Sequence, residues 1–183
     1  MAKALPRPWT VDDFLAFEAE EEERYEFVGG IVRMMTGGSA AHGIIKNNVT
    51  NALNAALGDG PCIAIVDELK VMTEAAVMYP DVVVACRPLA PDDDRIQDPA
   101  VVVEVLSPTT ERHDRLAKWR EYQEITSLRH VVLVAQRERR IEVQSRTERG
   151  WEMVVVAPPD DAVVLEGVGV TLSLEAIYRR SGR

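Results

Sequence analysis

Two stretches decide how this chain folds: Tyr79-Pro80-Asp81-Val82-Val83-Val84-Ala85 and Val101-Val102-Val103-Glu104-Val105-Leu106. β-Branched runs of this length, separated by a Pro- and Asp-rich loop, predict strands buried on both faces. Glu104 is the anomaly. Side chains alternate along a strand, so it shares a face with Val102 and Leu106. An ionised carboxylate persists there only with a cation, good hydrogen bonds or a water-filled cleft. Asp81 opens the earlier strand, 23 residues before Glu104. Two carboxylates on adjacent strands are a donor set for Mg²⁺ (or Mn²⁺), which takes oxygen ligands and keeps several waters for a substrate phosphate.

Outward from this pair, segments 63–66 and 69–72 are also β-rich, and we expect them in the same central sheet. Upstream, Thr10 caps a helix running to about residue 19, with Asp13 completing a capping box and Phe14, Leu15 and Phe17 on its apolar side. Segments 25–28 and 31–34 flank Gly29-Gly30, a pair suited to a tight hairpin turn. Ile45, Val49 and Leu53 recur at helical spacing, predicting an amphipathic helix over 39–57 that stops at Gly58. Downstream, a second helical pattern over 111–125, with Leu116, Trp119 and Ile125 as its apolar residues, leads to a strand at 130–135. Strand, helix, strand implies a parallel crossover. Segments 141–144 and 151–156 read as an antiparallel pair, followed by a short helix after Ser173.

The chain has 183 residues, 46 % of them hydrophobic, enough for one substantial core, and we expect a single domain over 1–183. No apolar run approaches the roughly 20 residues needed to cross a bilayer. The first ten residues lack the apolar stretch of a secretory signal. The expected location is therefore cytoplasmic, with no membrane partner. Cys62 and Cys86 lack CxxC spacing, and in a reducing compartment we expect them to be free thiols. The formal charge of −9 excludes a uniformly basic nucleic-acid binder. Acid is concentrated in 18–23 and 92–94, whereas Arg112, Arg115, Lys118, Arg120, Arg137, Arg139 and Arg140 leave room for a local basic surface.

Pro80-Asp81 followed by Glu104-Val105-Leu106 resembles the PD-(D/E)xK nuclease pattern, with leucine where that pattern carries lysine. Three further features resemble the Uma-type family of restriction endonucleases: Tyr25-Glu26-Phe27-Val28-Gly29-Gly30, His42 at the start of a helix, and Ser107-Pro108-Thr109-Thr110 followed by Asp114, Lys118 and Tyr122. The resemblance runs from about residue 10 to 178. It implies an α/β, restriction-endonuclease-like core, a mixed β-sheet flanked by helices. It also implies metal-assisted hydrolysis of phosphodiester bonds, with DNA as the nucleic-acid partner. Asp81 and Glu104 would be the metal ligands, Lys118 from the next helix would replace the missing lysine, and Glu26 would join the acidic cluster.

Each of these residues also has a plainer reading. Lys118 can form an exposed helix pair with Asp114, contributing roughly 0.3–0.5 kcal/mol, and Glu26 can simply face solvent. We read His42 as a packed, hydrogen-bonded histidine and Trp119 and Tyr122 as helix packing, with Tyr122 in reach of the cleft because it shares a face with Lys118. His113 and His130 have no partner at zinc-ligand spacing. Two other functions stay open: a protein of this fold that binds nucleic acid or plays a structural part without catalysis, and a phosphodiesterase acting on RNA or a nucleotide. A two-fold homodimer is the expected assembly.

Overall fold

Both valine runs become interior strands. In chain order the described residues form α1 (Val11–Glu18), β1 (Tyr25–Val28), β2 (Ile31–Met34), α2 (Ala40–Leu57), β3 (Ile63–Val66), β4 (Lys70–Met72), β5 (Val77–Met78), β6 (Val82–Ala85), β7 (Arg95–Ile96) and β8 (Val101–Leu106). A π-helical turn (Asp114–Lys118) then runs into α3 (Trp119–Glu124), followed by β9 (His130–Ala135), β10 (Ile141–Thr147), β11 (Gly150–Val156), β12 (Ala162–Leu165), a 3₁₀ turn (Glu166–Val168), β13 (Val170–Ser173) and α4 (Leu174–Tyr178). This computed structural model describes residues 7–107, 111 and 114–183. Expectations that fall on 1–6, 108–110 and 112–113, and on the Asp114 side chain, lie outside the described residues. They include most of the Ser107–Thr110 motif, His113 and the Asp114–Lys118 pair.

The main sheet has six strands in the order β11-β10-β9-β8-β6-β3, and a second sheet of five runs β2-β1-β5-β4-β7. β8 and β9 are parallel, as the crossover implies. β6 and β8 are antiparallel, pairing Val82 with Val103 and Val83 with Val102. One step further along that register, Asp81 stands opposite Glu104. All six residues of β8 are buried, and they alternate between two cores. Val101, Val103 and Val105 pack with Ile45, Val49 and Leu53 of α2. Val102 and Leu106 pack with Val83, Tyr122, Ile125 and Leu128. Glu104 lies on this second face, only 3 % exposed.

The local signals act as their chemistry dictates. Thr10 and Asp13 form the reciprocal capping box of α1. Gly29 and Gly30 take positive φ angles of 62° and 77° and close the β1–β2 hairpin, a conformation that costs glycine nothing. Ser39 caps α2, and Gly58 follows its last residue.

Three expectations need correction, and one strand pair stands outside them. Segment 69–72 does not join the central sheet. After Asp67, a non-glycine residue with φ 53°, the chain passes into the second sheet. Leu116 is 54 % exposed, because the wide π-helical turn brings Ala117 and Trp119, not Leu116, against the core. Cys62 and Cys86 are not free thiols but a disulfide. The β3–β6 register pairs Ile63 with Ala85, so the two cysteines face one another just beyond the paired residues, a proximity that sequence spacing does not reveal. Finally, the β12–β13 pair, whose Val163, Leu165, Val170 and Leu172 complete the first core, was not anticipated. Four-residue strands carry too little alternation to stand out.

Candidate active site

A cleft of about 920 Å³ opens where β6 and β8 present Asp81 and Glu104, and Glu26, His42, Lys46 and Lys118 share its lining. Asp81 sits just before β6, so its carboxylate projects beyond the paired valines. Its Oδ2 accepts a hydrogen bond from the Val105 backbone N–H at 2.7 Å and lies 3.4 Å from His42 Nε2. Its Oδ1 lies 3.9 Å from Lys46 Nζ. His42 and Lys46 are one turn apart on α2, so a single face of that helix supplies both. Gly38 makes room for the imidazole: a Cβ there would stand 2.9 Å from His42 Nδ1.

Glu104 is compensated from the opposite side. Lys118 Nζ donates to its Oε1 at 3.1 Å, and the Tyr122 hydroxyl donates to the same oxygen. Lys118 also meets Glu26 Oε1 at 2.7 Å, and that oxygen accepts the Tyr79 backbone N–H at 2.9 Å. Lys118 and Glu26 are both buried. The π-helical turn that delivers Lys118 is anchored from behind, since Arg115 hydrogen-bonds to buried Glu142 of β10, which also meets Arg140 at 2.8 Å.

Each carboxylate is thus bridged by a lysine to a second carboxylate: Glu104 through Lys118 to Glu26, and Asp81 through Lys46 to Asp67. Burial pushes the Asp81 pKa up, but the hydrogen bond and charge of His42, the Val105 N–H and the charge of Lys118 outweigh it, and the net shift is downward. The hydrogen bond to Asp81 raises the His42 pKa against its own burial. Asp81 is therefore an anion at neutral pH, as a metal ligand must be.

Glu26, Asp81, Glu104 and Lys118 were selected from the sequence, and the fold brings all four together. The expectation of an exposed face for Glu26 and an exposed helix pair for Lys118 gives way to burial. His42, expected to be packed and hydrogen-bonded, meets Asp81, and Tyr122, expected within reach of the cleft, meets Glu104. Lys46 and Asp67 were missed. The i, i+4 spacing of His42 and Lys46, on the same helix face as Ile45, Val49 and Leu53, was the available signal; Asp67 had none, because its place depends on long-range pairing.

The donor chemistry fits a hard divalent cation. Among the described residues no three or more His, Cys, Asp or Glu side chains are arranged around one point, so the set on offer is the pair Asp81 and Glu104. A metal that accepts two carboxylates and fills its remaining positions with water and substrate oxygens matches that set.

Comparison with known proteins agrees with this architecture. The family model Uma2, described as "Putative restriction endonuclease", matches residues 11–175. Two uncharacterized proteins of Synechocystis sp. are similar: slr1290 is 29 % identical over 171 residues, covering 92 % of this chain and 90 % of the relative. The other, sll1609, is 27 % identical over 157 residues, covering 82 % and 89 %. Among solved structures, the crystal structure of a putative nuclease belonging to DUF820 from Anabaena variabilis superposes with a TM-score of 0.76 at 18 % identity, covering 93 % of this chain and 98 % of that one. The fold is the restriction-endonuclease-like α/β arrangement of a mixed sheet flanked by helices.

Proposed function

Since the chain belongs to the Uma2 family of putative restriction endonucleases, we propose that it is a metal-dependent endonuclease hydrolysing phosphodiester bonds, with DNA as its substrate. One observation carries this reading: Asp81, immediately before β6, and Glu104, on the adjacent antiparallel β8, line the same open cleft, each within reach of a lysine. A divalent cation held by this pair, Mg²⁺ or Mn²⁺, would supply the positive charge that activates water and stabilises the phosphoryl oxygens. In the reaction a water oxygen bonds to phosphorus, the bond from phosphorus to the leaving sugar oxygen breaks, the water loses a proton and the sugar oxygen gains one.

Lys118 orients the attacking water or offsets charge on the phosphoryl group, an assignment supported by its position between Glu26 and Glu104. Glu26 keeps the ammonium in place and can accept a hydrogen bond from water. Tyr122 fixes the rotamer of Glu104, and His42 that of Asp81. Four carboxylates and two lysines meet at the cleft. Those six groups by themselves carry an excess of negative charge, which a divalent ion would offset. The proposal is of a cytoplasmic two-fold homodimer presenting two clefts to a duplex, with the Cys62–Cys86 bridge an exception to the usual reduced state of cytoplasmic cysteines. No helix among the described residues is long and apolar enough to cross a membrane.

The direct test compares wild type and Glu104→Gln, purified identically, on supercoiled, linear and single-stranded DNA and on RNA with Mg²⁺ or Mn²⁺. We expect cleavage of DNA that disappears on chelation and in the variant. RNA cleavage alone would replace DNA as the substrate. Wild type and variant equally inactive on every substrate, or equally active, would refute the nuclease reading.

A further inference from the structure

We infer that Lys46 is a second phosphate-contacting cation of the cleft and that Asp67 is the residue positioning it; this rests on the nuclease reading above. Lys118 is locked between two buried carboxylates, with its side chain 5 % exposed. Lys46, at 16 %, is the wetter of the two lysines. Among the described residues its ammonium makes one hydrogen bond, to Asp67. Its approach to Asp81, at 3.9 Å, is too long for a hydrogen bond and is an attraction between charges only. An ammonium carries three donors. A phosphate oxygen in the cleft beside Asp81 would therefore meet a cation that has donors to give.

Asp67 supplies the independent argument. It holds φ at 53°, a left-handed conformation that only glycine adopts freely and aspartate tolerates. Its N–H donates to the Asp81 carbonyl at 3.2 Å, and its own carbonyl accepts from Arg24. The same residue that is pinned by its backbone to Asp81 thus presents its carboxylate to Lys46. Sustained strain of this kind marks positions where the surroundings dictate geometry. A solvated ion pair, worth little by itself, does not account for it. The core contacts of α2 come from Ile45, Val49 and Leu53, so the packing of the helix does not require Lys46.

The test is binding of a labelled DNA oligonucleotide to the full-length protein, followed by anisotropy across a salt series, with Ca²⁺ in place of Mg²⁺ to limit turnover. We expect Lys46→Met to weaken binding and to reduce the slope of log affinity against log salt by about one, the signature of one lost phosphate contact. Lys46→Arg should restore the slope. Asp67→Asn, which tolerates the same backbone, should leave the slope unchanged while lowering turnover with Mg²⁺, because the charge stays and its placement relaxes. Lys46→Gln provides the same reading where Lys46→Met melts early. An unchanged slope in both neutral variants overturns the inference while leaving the nuclease reading intact. Wild type that binds no nucleic acid at any salt refutes that reading and this inference together.

Discussion

Replacing Lys118 by methionine tests the charge balance of the site without any substrate. Lys118 is 4 % exposed and lies 2.7 Å from Glu26 and 3.1 Å from Glu104, both buried. Methionine fills much the same volume with no charge, leaving both carboxylates in place without this cation. Breaking a buried ion pair by removing one partner costs about 3–5 kcal/mol. For a chain of this size a loss of 1 kcal/mol lowers the melting temperature by roughly 2–4 °C, so the expected fall is roughly 6–20 °C. Urea titration and calorimetry at pH 7 without divalent metal read this directly. Glu26→Gln added to Lys118→Met should recover part of the loss, and the double-mutant cycle then gives the coupling. A loss below about 1 kcal/mol, the range of an exposed pair, would refute the reasoning: Lys118 would then not be compensating the buried acids.

Two further predictions concern parts of the fold away from the cleft. The Gly167 N–H donates to His130 Nε2 at 2.8 Å and His130 Nδ1 meets Ser145 Oγ at 2.9 Å, a pairing that requires the neutral ring; burial holds the pKa of His130 below its ordinary 6.5. Below pH 6.5 the unfolded chain binds more protons than the folded one, so this contribution to stability is present above pH 6.5 and is lost as pH falls from there through the lower pKa of the folded protein. His130→Gln should flatten the unfolding free energy between pH 7.5 and 5.5, and an unaltered pH profile would contradict the assignment. Reduction of the Cys62–Cys86 bridge, which closes a loop of separation 24, should cost about 3 kcal/mol by loop entropy. That corresponds to a fall in melting temperature of roughly 6–12 °C, which thermal melts with and without reductant would measure; a Cys62→Ser/Cys86→Ser protein melting with oxidised wild type would disprove it.

What the sequence revealed about the site depended on where each signal lay. Glu104 stands out because a carboxylate within five aliphatic neighbours conflicts with its surroundings, and Asp81 because Pro80 and a valine run mark it as a strand start. Periodicity found α2, and turn chemistry found Gly29-Gly30. Pairing across sheets leaves no comparable trace. The split of β3 and β4 between two sheets depends on long-range strand pairing, and the Cys62–Cys86 contact depends on the β3–β6 register. Lys46 was passed over for a related reason: a lysine on an amphipathic helix is ordinarily a solvated residue, and only the fold shows that this one meets two aspartates.

The overall charge of −9 and a proposed phosphodiester substrate are compatible if affinity is conditional. Within the ion-paired group itself, Glu26, Asp67, Asp81 and Glu104 outnumber Lys46 and Lys118 by two, while Arg24, Arg33, Arg137 and Arg183, with Glu22 and Glu23, line the cleft around it. A phosphate brought within about 4 Å of such an excess is repelled by about 1 kcal/mol per charge pair in water, and by about 4 kcal/mol where the effective dielectric is near 20. A divalent ion between Asp81 and Glu104 cancels the excess, and both lysines then act on the phosphate instead of on the metal ligands. A basic protein would hold nucleic acid with or without metal, whereas on the proposed reading this one would gain affinity when the ion is bound. Linkage makes the dependence reciprocal: whatever factor the ion adds to oligonucleotide affinity, the oligonucleotide must add to affinity for the ion. Titrating Mn²⁺ with and without a DNA oligonucleotide would therefore yield the same factor as titrating the oligonucleotide with and without Mn²⁺, and an ion affinity indifferent to DNA would mean that the two do not share the cleft.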